Sequence, residues 1–192
     1  MDCLDFRFPA GGFAQPLALW DASHQRAQRV ALLLQRLFEH LQVHGPSEAT
    51  RVTGEEVRRY MREAAPRHHD DEDDDLFPRL AQRLGAVRDG PALAQAPAVA
   101  TALERLQRDH GELDALWRDV DAALTRAGQQ RPAAADHECA QRFVDSFLTH
   151  HGIEEQIIAP AAALVLREDD LAAIGASMAA RRGTTWSALG AR

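Results

Sequence analysis

Lysine is absent from this chain of 192 residues, so all 22 of its basic side chains are arginine. This absence excludes Schiff-base chemistry and the lysine of a phosphate-binding P-loop. Cysteine occurs only at Cys3 and Cys139, too far apart in sequence for a zinc knuckle or a dithiol redox motif. We expect two reduced thiols, as in a cytosolic protein, because small disulfide scaffolds are far richer in cysteine.

Aromatic residues are scarce, at 6% of the sequence, whereas alanine and leucine are abundant, which favours a helical protein over a sheet protein. The formal net charge of −7 argues against nucleic acid as the main partner, because binding phosphates requires a basic surface. The longest apolar run, residues 156–166, is too short to span a bilayer, and residues 1–15 lack the apolar segment of a signal peptide. We therefore expect a cytoplasmic protein with one core and no membrane-bound part.

Four segments carry apolar residues at alternating spacings of three and four, which is typical of helices with one face toward a core. The first starts at Leu17 and ends before Gly45, and the second follows a capping box at residues 53–56. The third has Pro97 in its first turn, after a loop over residues 85–96, and the fourth is capped by Asp136. Pro66 lies within the second segment, so that helix either kinks there or ends and a new helix begins.

These segments predict an all-α protein, an antiparallel up-down four-helix bundle over residues 16–166. Residues 1–15 are predicted to form an irregular lead-in. Residues 167–192 are predicted to form a short additional helix, over 168–182, and a loose tail.

One motif occurs twice in the chain, as HHDDEDDDLFP at residues 68–78 and as HHGIEEQIIAP at residues 150–160. Both copies place a glutamate four residues after the first histidine and a proline ten residues after it. Residues four apart lie about 40° apart around a helix and one turn along it, so His68 and Glu72 reach the same point in a core. His150 and Glu154 do the same in the second copy.

Single histidines interrupt the apolar stripes of the first and third helices, at His24 and His110. Burying two carboxylates without arginine or metal would be too costly, so we interpret the set as a metal site. The predicted ligands are His24, His68, Glu72, His110, His150 and Glu154. Six nitrogen and oxygen ligands exceed the four of a structural zinc site, and His-Glu-x-x-His is absent. Two shared carboxylates favour two non-haem iron ions, with manganese less favoured.

The second histidine of each motif lies 100° around the helix from the first. We expect His69 and His151 to lie at the surface or to support the ligands, although His69 with Asp73 and His151 with Glu155 have the same spacing as the preferred pairs. The aspartates of residues 70–75 are interpreted as a solvated face rather than a metal-gathering patch.

Other histidines and tryptophans are assigned structural roles. Trp20 and Trp117 lie on the apolar stripes and are expected to pack in the core. Surface or helix-end positions are expected for His40, His44 and His137.

With its doubled motif and two single histidines, the sequence resembles the hemerythrin-like, or HHE cation-binding, family over roughly residues 16–166. The resemblance implies two irons bridged by Glu72 and Glu154, with an oxo or hydroxo bridge in the oxidised state. Oxygen-carrying hemerythrins have a fifth histidine one turn after the one that matches His110, where this chain has Asp114. We expect Asp114 to be a weak extra ligand or a partner of a ligating histidine. The second motif also ends Ile-Ala-Pro rather than Leu-Phe-Pro.

With four matching histidines, the site is more similar to bacterial di-iron proteins linked to nitric oxide and iron-sulphur cluster repair than to oxygen carriers. Those proteins usually carry a cysteine-bearing N-terminal segment, which Cys3 matches only weakly. The resemblance implies a protein that binds or reacts with dioxygen, peroxide or nitric oxide, in stress response or cluster repair. Iron storage or delivery, oxygen or iron sensing, and a vestigial site used for association are the alternatives, and the sequence leaves open whether the protein is an enzyme.

Overall fold

In the computed structural model, which describes residues 12–186, all the regular elements are helical, and the all-α prediction is confirmed. The α-helices are α1 Pro16–His44, α2 Glu48–Glu63, α3 Ala65–Asp71, α4 Phe77–Ala86, α5 Gly90–Ala127, α6 Ala134–Ile153, α7 Ala159–Val165 and α8 Glu168–Arg181. A 3₁₀ turn, Gly12–Ala14, precedes α1. Two π-helical turns, Glu72–Leu76 and Glu154–Ile158, connect α3 to α4 and α6 to α7.

The helices form four rods of a bundle. The first rod is α1 and the third is α5, while the second consists of α2, α3 and α4, and the fourth of α6 and α7. Helix α1 packs against α2 and α6, α5 packs against α4 and α6, and α8 covers α1 and α3 from outside. No helix within the described part of the chain combines the length and apolar character needed to cross a membrane.

The apolar interior is divided into two clusters along the bundle axis. One contains Ala27 to Leu41 of α1 and Leu113 to Ala127 of α5, and the other contains Leu19 and Trp20 of α1 with residues 92–106 of α5. Residues 24 and 110 lie between the two clusters on their helices. A polar layer therefore separates two apolar clusters, and both clusters shield that layer from water.

Several helix boundaries differ from those expected. The capping box of α2 is at Ser47 and Thr50, six residues before the predicted one, with the Thr50 N–H donating to Ser47 Oγ at 3.2 Å. Thr53 instead donates its hydroxyl to the carbonyl of Ala49 within the helix. At Pro66 the chain forms two helices, because α2 ends at Glu63 and α3 begins at Ala65.

The prediction of a long loop over residues 85–96 is wrong. Helix α5 begins at Gly90, with Pro91 in the first turn, where a missing N–H costs nothing, and it continues through Pro97. Burial of Val99 and Ala102 in the second apolar cluster outweighs the hydrogen bond that Pro97 removes. The predicted cap of α6 is also displaced, since Asp136 is the third helical residue and accepts a hydrogen bond from the Ala133 N–H.

The acidic run is in part an interface rather than a solvated face. Asp71 and Asp75 are buried, and Arg181 at the end of α8 pairs with them at 3.0 and 2.6 Å. Arg182 adds a second contact to Asp71, at 2.7 Å. Asp70 and Asp74 are exposed to solvent, and Asp73 is partly exposed. The prediction of a solvated face is therefore wrong for the buried pair, because arginines far along the chain neutralise it.

The ends of the chain bear on two further predictions. The helix expected over 168–182 is present as α8. Cys3, most of the predicted lead-in and residues 187–192 of the predicted tail lie outside the described residues. Cys139 is buried in α6 as a free thiol, and burial raises its pKa.

Candidate metal centre

The structure brings all six predicted ligands together in the polar layer of the bundle. Each of them is buried, and their exposures range from 0% to 6%. The single histidines come from α1 and α5, and the two motifs come from the second and fourth rods. Each rod therefore contributes at least one of the predicted ligands to this cluster.

Both glutamates occupy the first position of a π-helical turn. The Phe77 N–H donates to the Glu72 carbonyl and the Ala159 N–H donates to that of Glu154, five residues back instead of four. A proline follows each glutamate by six residues, and its ring clashes with the carbonyl four residues before it. This clash favours the wider turn, so the spacing of glutamate and proline that both motifs share has a structural reason.

Glu72 directs its two oxygens to different sets of histidines. Its Oε1 lies 3.2 Å from His68 Nε2 and 3.7 Å from His24 Nε2. Its Oε2 lies 3.4 Å from His110 Nε2. The carboxylate thus spans two neighbouring positions, which we call subsite A, next to His24 and His68, and subsite B, next to His110 and His150.

Glu154 spans the same two subsites from the other side. Its Oε2 lies 3.3 Å from His24 Nε2, in subsite A, and its Oε1 lies 3.3 Å from His150 Nε2, in subsite B. Each carboxylate therefore offers one oxygen to each subsite. This is the arrangement that two bridging carboxylates require.

His69 and His151 also belong to this cluster. His151 is fully buried, and its Nε2 can approach the same point as atoms of His24, His68 and Glu154, all within 4.8 Å of one another. His69 stacks on His110 with ring centroids 4.1 Å apart and groups in the same way with His110 and His150. The surface position considered for them is wrong. The signal in the sequence was the His-His pair at the start of both motifs.

Adjacent histidines serve opposite subsites. His68 faces subsite A while His69 lies against subsite B, and in the second motif His150 faces B while His151 lies against A. Each subsite therefore has three imidazoles. His151 Nδ1 donates to the Phe147 carbonyl at 2.7 Å, which leaves the Nε2 lone pair directed at the cluster.

Outer carboxylates contact the single histidines across the bundle. Asp73 Oδ2 lies 2.8 Å from His110 Nδ1, and Glu155 Oε1 lies 3.8 Å from His24 Nδ1. Asp73 directly follows Glu72, and Glu155 directly follows Glu154. The residue after the glutamate of each motif therefore contacts the single histidine on a helix of the other half of the chain. Such contacts orient a ligating imidazole and fix its tautomer.

Trp20 does more than pack in the core. Its Nε1–H donates to Glu72 Oε1 at 2.5 Å in a fully buried position. Trp117, by contrast, packs against Phe143 with ring centroids 5.6 Å apart, as expected. Asp114 is exposed on α5 and does not belong to the described groups of residues that could hold a metal, so its part in the site stays a prediction. Solvent-accessible or helix-end positions are found for His40, His44 and His137.

The charges of the site are coupled through the two glutamates. Burial alone would lower the pKa of His24, but Glu154 and Glu72 raise it to about 9. The pKa of His110 is likewise lowered by burial but raised by Glu72 and Asp73, to about 9. Burial lowers the pKa of His69 to about 3 and that of His151 to about 4, which keeps both imidazoles neutral at physiological pH.

Burial would raise the pKa of Glu72, but the surrounding imidazoles hold it well below its usual range. The pKa of Glu154 is also lowered by His150 and His24, against burial and the charge of Glu72. Two carboxylates are thus ionised side by side in the interior. Within residues 12–186, no arginine pairs with either.

A metal would satisfy the buried atoms of this cluster. The Nε2 atoms of all six histidines lack a hydrogen-bond partner within the described chain, and so do Glu72 Oε2 and both oxygens of Glu154. Buried polar groups are rarely left in this state unless they bind an ion or ligand. In each subsite, three imidazole nitrogens and one oxygen from each carboxylate could coordinate a divalent cation, so the donor set fits two metal ions.

Comparison with known proteins agrees with this interpretation of the cluster. A protein from Haemophilus influenzae, described as uncharacterized, is 27% identical over 168 residues, which cover 88% of this chain and 90% of that protein. The family described as the hemerythrin HHE cation binding domain matches residues 15–162, a range that includes all eight residues of the cluster.

Proposed function

This chain belongs to the hemerythrin HHE cation-binding domain family, and from that premise we propose that it is a non-haem di-iron protein. Its small ligands are dioxygen, peroxide or nitric oxide. We propose a role in stress response or iron-sulphur cluster repair, in the cytoplasm. The observation that carries the proposal is the pair of glutamates that each offer one oxygen to both subsites.

The donor set supports iron over zinc. Three imidazoles and two carboxylate oxygens at each subsite exceed the four ligands of a structural zinc site, and they suit a redox-active ion of intermediate softness. His24, His68 and His151 with both glutamates would hold one ion, and His69, His110 and His150 with the same glutamates would hold the other. Two ferrous ions would supply electrons and Lewis acidity to a bound small ligand.

The protein supplies geometry and a dry environment. Asp73 and Phe147 accept hydrogen bonds from Nδ1 of His110 and His151, which directs the Nε2 atoms inward. The two apolar clusters exclude water on both sides of the polar layer. The charge of two carboxylates offsets only half of the charge of two divalent cations, and the remaining positive charge favours electron-rich ligands.

A pocket beside subsite A supports access by small molecules. It has a volume of about 470 Å³ and is lined by Trp20, His24, Gln28 and Glu155. Gln28 and Glu155 are hydrogen-bonded to each other, at 2.9 Å. Because this pocket is lined by His24 of subsite A, it offers a route by which a small ligand could reach the metal centre from solvent.

Metal analysis combined with anaerobic spectroscopy tests this function. We expect about two irons per chain after anaerobic loading, and charge-transfer bands that differ after exposure to oxygen, peroxide or nitric oxide. Glu72→Gln should lose the bands, whereas Glu104→Gln, at an exposed position of α5, should keep them. Zinc, no metal, or a spectrum that none of the three reagents changes would contradict the proposal. Many irons per chain would favour storage instead.

A further inference from the structure

A second pocket, which includes three arginines in its lining, lies beside His68 of subsite A. It has a volume of about 230 Å³ and lies among α1, α2, α3 and the end of α8. Its polar lining consists of Ser23, Arg26, Tyr60, Arg67, His68 and Arg182. Three of these side chains are guanidinium groups, and no carboxylate is among the described residues that line the pocket.

His68 connects this pocket to the metal centre. Its Nε2 faces Glu72 at 3.2 Å, so its Nδ1 lies on the other side of the ring, and the ring forms part of the pocket wall. The Nδ1 atom is buried and has no hydrogen-bond partner in the part of the chain that the structure describes. With a metal at Nε2, Nδ1 would carry a proton that needs an acceptor.

The other three histidines that face a bridging glutamate are different. A carboxylate oxygen lies within 4 Å of each Nδ1 atom. Asp73 is at hydrogen-bond distance from His110, at 2.8 Å, whereas Glu155 beside His24 and Asp109 beside His150 lie at 3.8 Å and provide only an electrostatic contact. His150 is the counterpart of His68 in the second motif. The first motif therefore lacks an outer carboxylate at the position where the arginine pocket opens.

The guanidinium groups are placed to bind an anion from solution, which would take the position of the missing carboxylate. Arg67 is exposed on α3, one residue before His68, and Arg26 lies over the Tyr60 ring at 5.5 Å. Arg182 is fixed at the pocket by Asp71 and by the Met178 carbonyl. Arginine binds oxyanions through two parallel hydrogen bonds, and the buried Tyr60 hydroxyl stays protonated because burial raises its pKa.

We propose that this pocket binds a small oxyanion of the phosphate type. One oxygen would accept the Nδ1–H of His68, and the others would accept hydrogen bonds from Arg67. The anion takes the place of the missing outer carboxylate and thereby strengthens metal binding in subsite A. The His68 hydrogen bond and this coupling rest on the proposed di-iron function, whereas contact of the anion with Arg67, beside the His68 ring, does not.

The first experiment measures anion binding without metal. Metal-free protein labelled with ¹⁵N in its histidines is titrated with inorganic phosphate at constant ionic strength, and the His68 ring signals are followed. We expect saturable shifts at His68 and a loss of affinity of about tenfold in Arg67→Gln, the size of one charge-assisted interaction. Arg29→Gln, which removes an exposed arginine elsewhere on α1, should bind phosphate as the wild type does. Non-saturable shifts, or equal binding by the two variants, would overturn the proposal.

The second experiment measures the coupling. Iron is removed from the loaded protein with a chelator, with and without phosphate at matched ionic strength. Phosphate should slow the release of one of the two ions about tenfold in the wild type and in Arg29→Gln, but not in Arg67→Gln. Equal release rates with bound phosphate would overturn the coupling. A protein that binds phosphate at His68 yet never loads metal would overturn the di-iron function and leave the anion site standing.

Discussion

The two halves of the bundle place the same ligands with differently built helices. In the second half, α6 runs without interruption from Ala134 to Ile153 and carries His150 and His151 in its last turn. In the first half, the helix breaks at Pro66, and the histidines lie on α3, which has only seven residues. Both halves nevertheless continue into a π-helical turn that begins at the bridging glutamate.

The surroundings of the two π-helical turns also differ. The first turn is bound by ion pairs, from Asp71 and Asp75 to arginines at the end of α8. Both turns bury their last residue, Leu76 in the first and Ile158 in the second, in the second apolar cluster. The glutamate, the buried apolar residue and the later proline are shared by both turns, so we infer that they determine the ligand geometry, while the ion pairs to α8 add support to the first turn.

The largest effect should come from either bridging glutamate, whichever half it belongs to. Glutamine keeps the shape of Glu72 or Glu154 but offers one acceptor oxygen and no charge, so it cannot serve both subsites. We expect Glu72→Gln and Glu154→Gln each to weaken metal binding by more than about 100-fold, since even outer partners of metal ligands are worth about 10- to 100-fold. Competition titration with a chelating dye measures this affinity.

The titration is most informative where it compares the loss of metal affinity in Glu72→Gln with that in Glu154→Gln, because the two losses should be equal. If Glu72→Gln weakened both ions and Glu154→Gln only one, the interpretation of two equivalent bridges would be wrong. Glu104→Gln supplies the baseline, because this glutamate is exposed on α5.

Removing His151 or His69 should separate the two subsites. His151→Ala removes an imidazole from subsite A and His69→Ala removes one from subsite B, so each variant should bind one ion about 10- to 100-fold more weakly and keep the other. We expect the larger loss for His151, because its hydrogen bond to Phe147 fixes the ring. Binding isotherms resolve the two steps. Two unchanged steps in both variants would restrict each subsite to two histidines.

These histidines show how far the sequence determines the site. The stripe of apolar residues was enough to bring His24, His68, Glu72 and their counterparts together, because helix periodicity is a local property. A prediction from such a stripe, however, treats each helix as having one face that points to the core. Two metal positions side by side create two inward directions about 100° apart, so neighbours such as His68 and His69 both reach the cluster.

Contacts between distant parts of the chain could not be predicted in this way. The pairing of Asp71 with Arg181 joins residues 110 positions apart, and no local pattern indicates it. The early start of α5 depends on Val99 and Ala102 packing in the second cluster, which overrides the helix-breaking tendency of Pro97. The bundle and its ligands follow from periodicity, whereas the supporting contacts follow from packing.

The two halves differ in the residue one turn before the single histidine, which is Trp20 in the first half. Replacing Trp20 should therefore change the stability of the metal-free protein. Trp20 donates a hydrogen bond to Glu72, while the corresponding residue of the second half, Leu106, is apolar. Trp20→Phe should lower the free energy of unfolding by about 2 kcal/mol, the size of a hydrogen bond to a charged group. Urea denaturation measures the change. Trp117→Phe is the control, because Trp117 packs against Phe143, and it should cost less. An equal cost would indicate that packing alone explains Trp20.

The outer carboxylates allow a finer comparison of the halves. Asp73 contacts His110 at 2.8 Å, whereas Glu155 lies 3.8 Å from His24 and is shared with Gln28. Asp73→Asn should therefore weaken metal binding about tenfold, and Glu155→Gln should have the smaller effect. The same competition titration measures both variants. The reverse order would mean that distance does not determine the support of the single histidines.

The smallest effect should come from the contact that attaches α8 to the first half. Asp170 accepts hydrogen bonds from Arg83 of α4 and from the Arg167 N–H, and the bond from Arg83 lowers the pKa of Asp170 below its ordinary value of 3.8. A lowered pKa in the folded state adds stability above pH 3.8, and this stability is lost as the pH falls through the lower value.

Asp170→Asn should accordingly destabilise the protein slightly at pH 7 and not at all once the pH is well below 3.8, as thermal unfolding over a pH series would measure. Asp136 is the matched residue in the second half, because it accepts from Arg126 and from the Ala133 N–H in the same positions of its helix. Asp136→Asn should leave α8 as resistant to proteolysis as in the wild type, whereas Asp170→Asn should make α8 easier to cleave. Equal resistance in the two variants would show that the arginines at the end of α8, through Asp71 and Asp75, are sufficient to hold this helix against the first half.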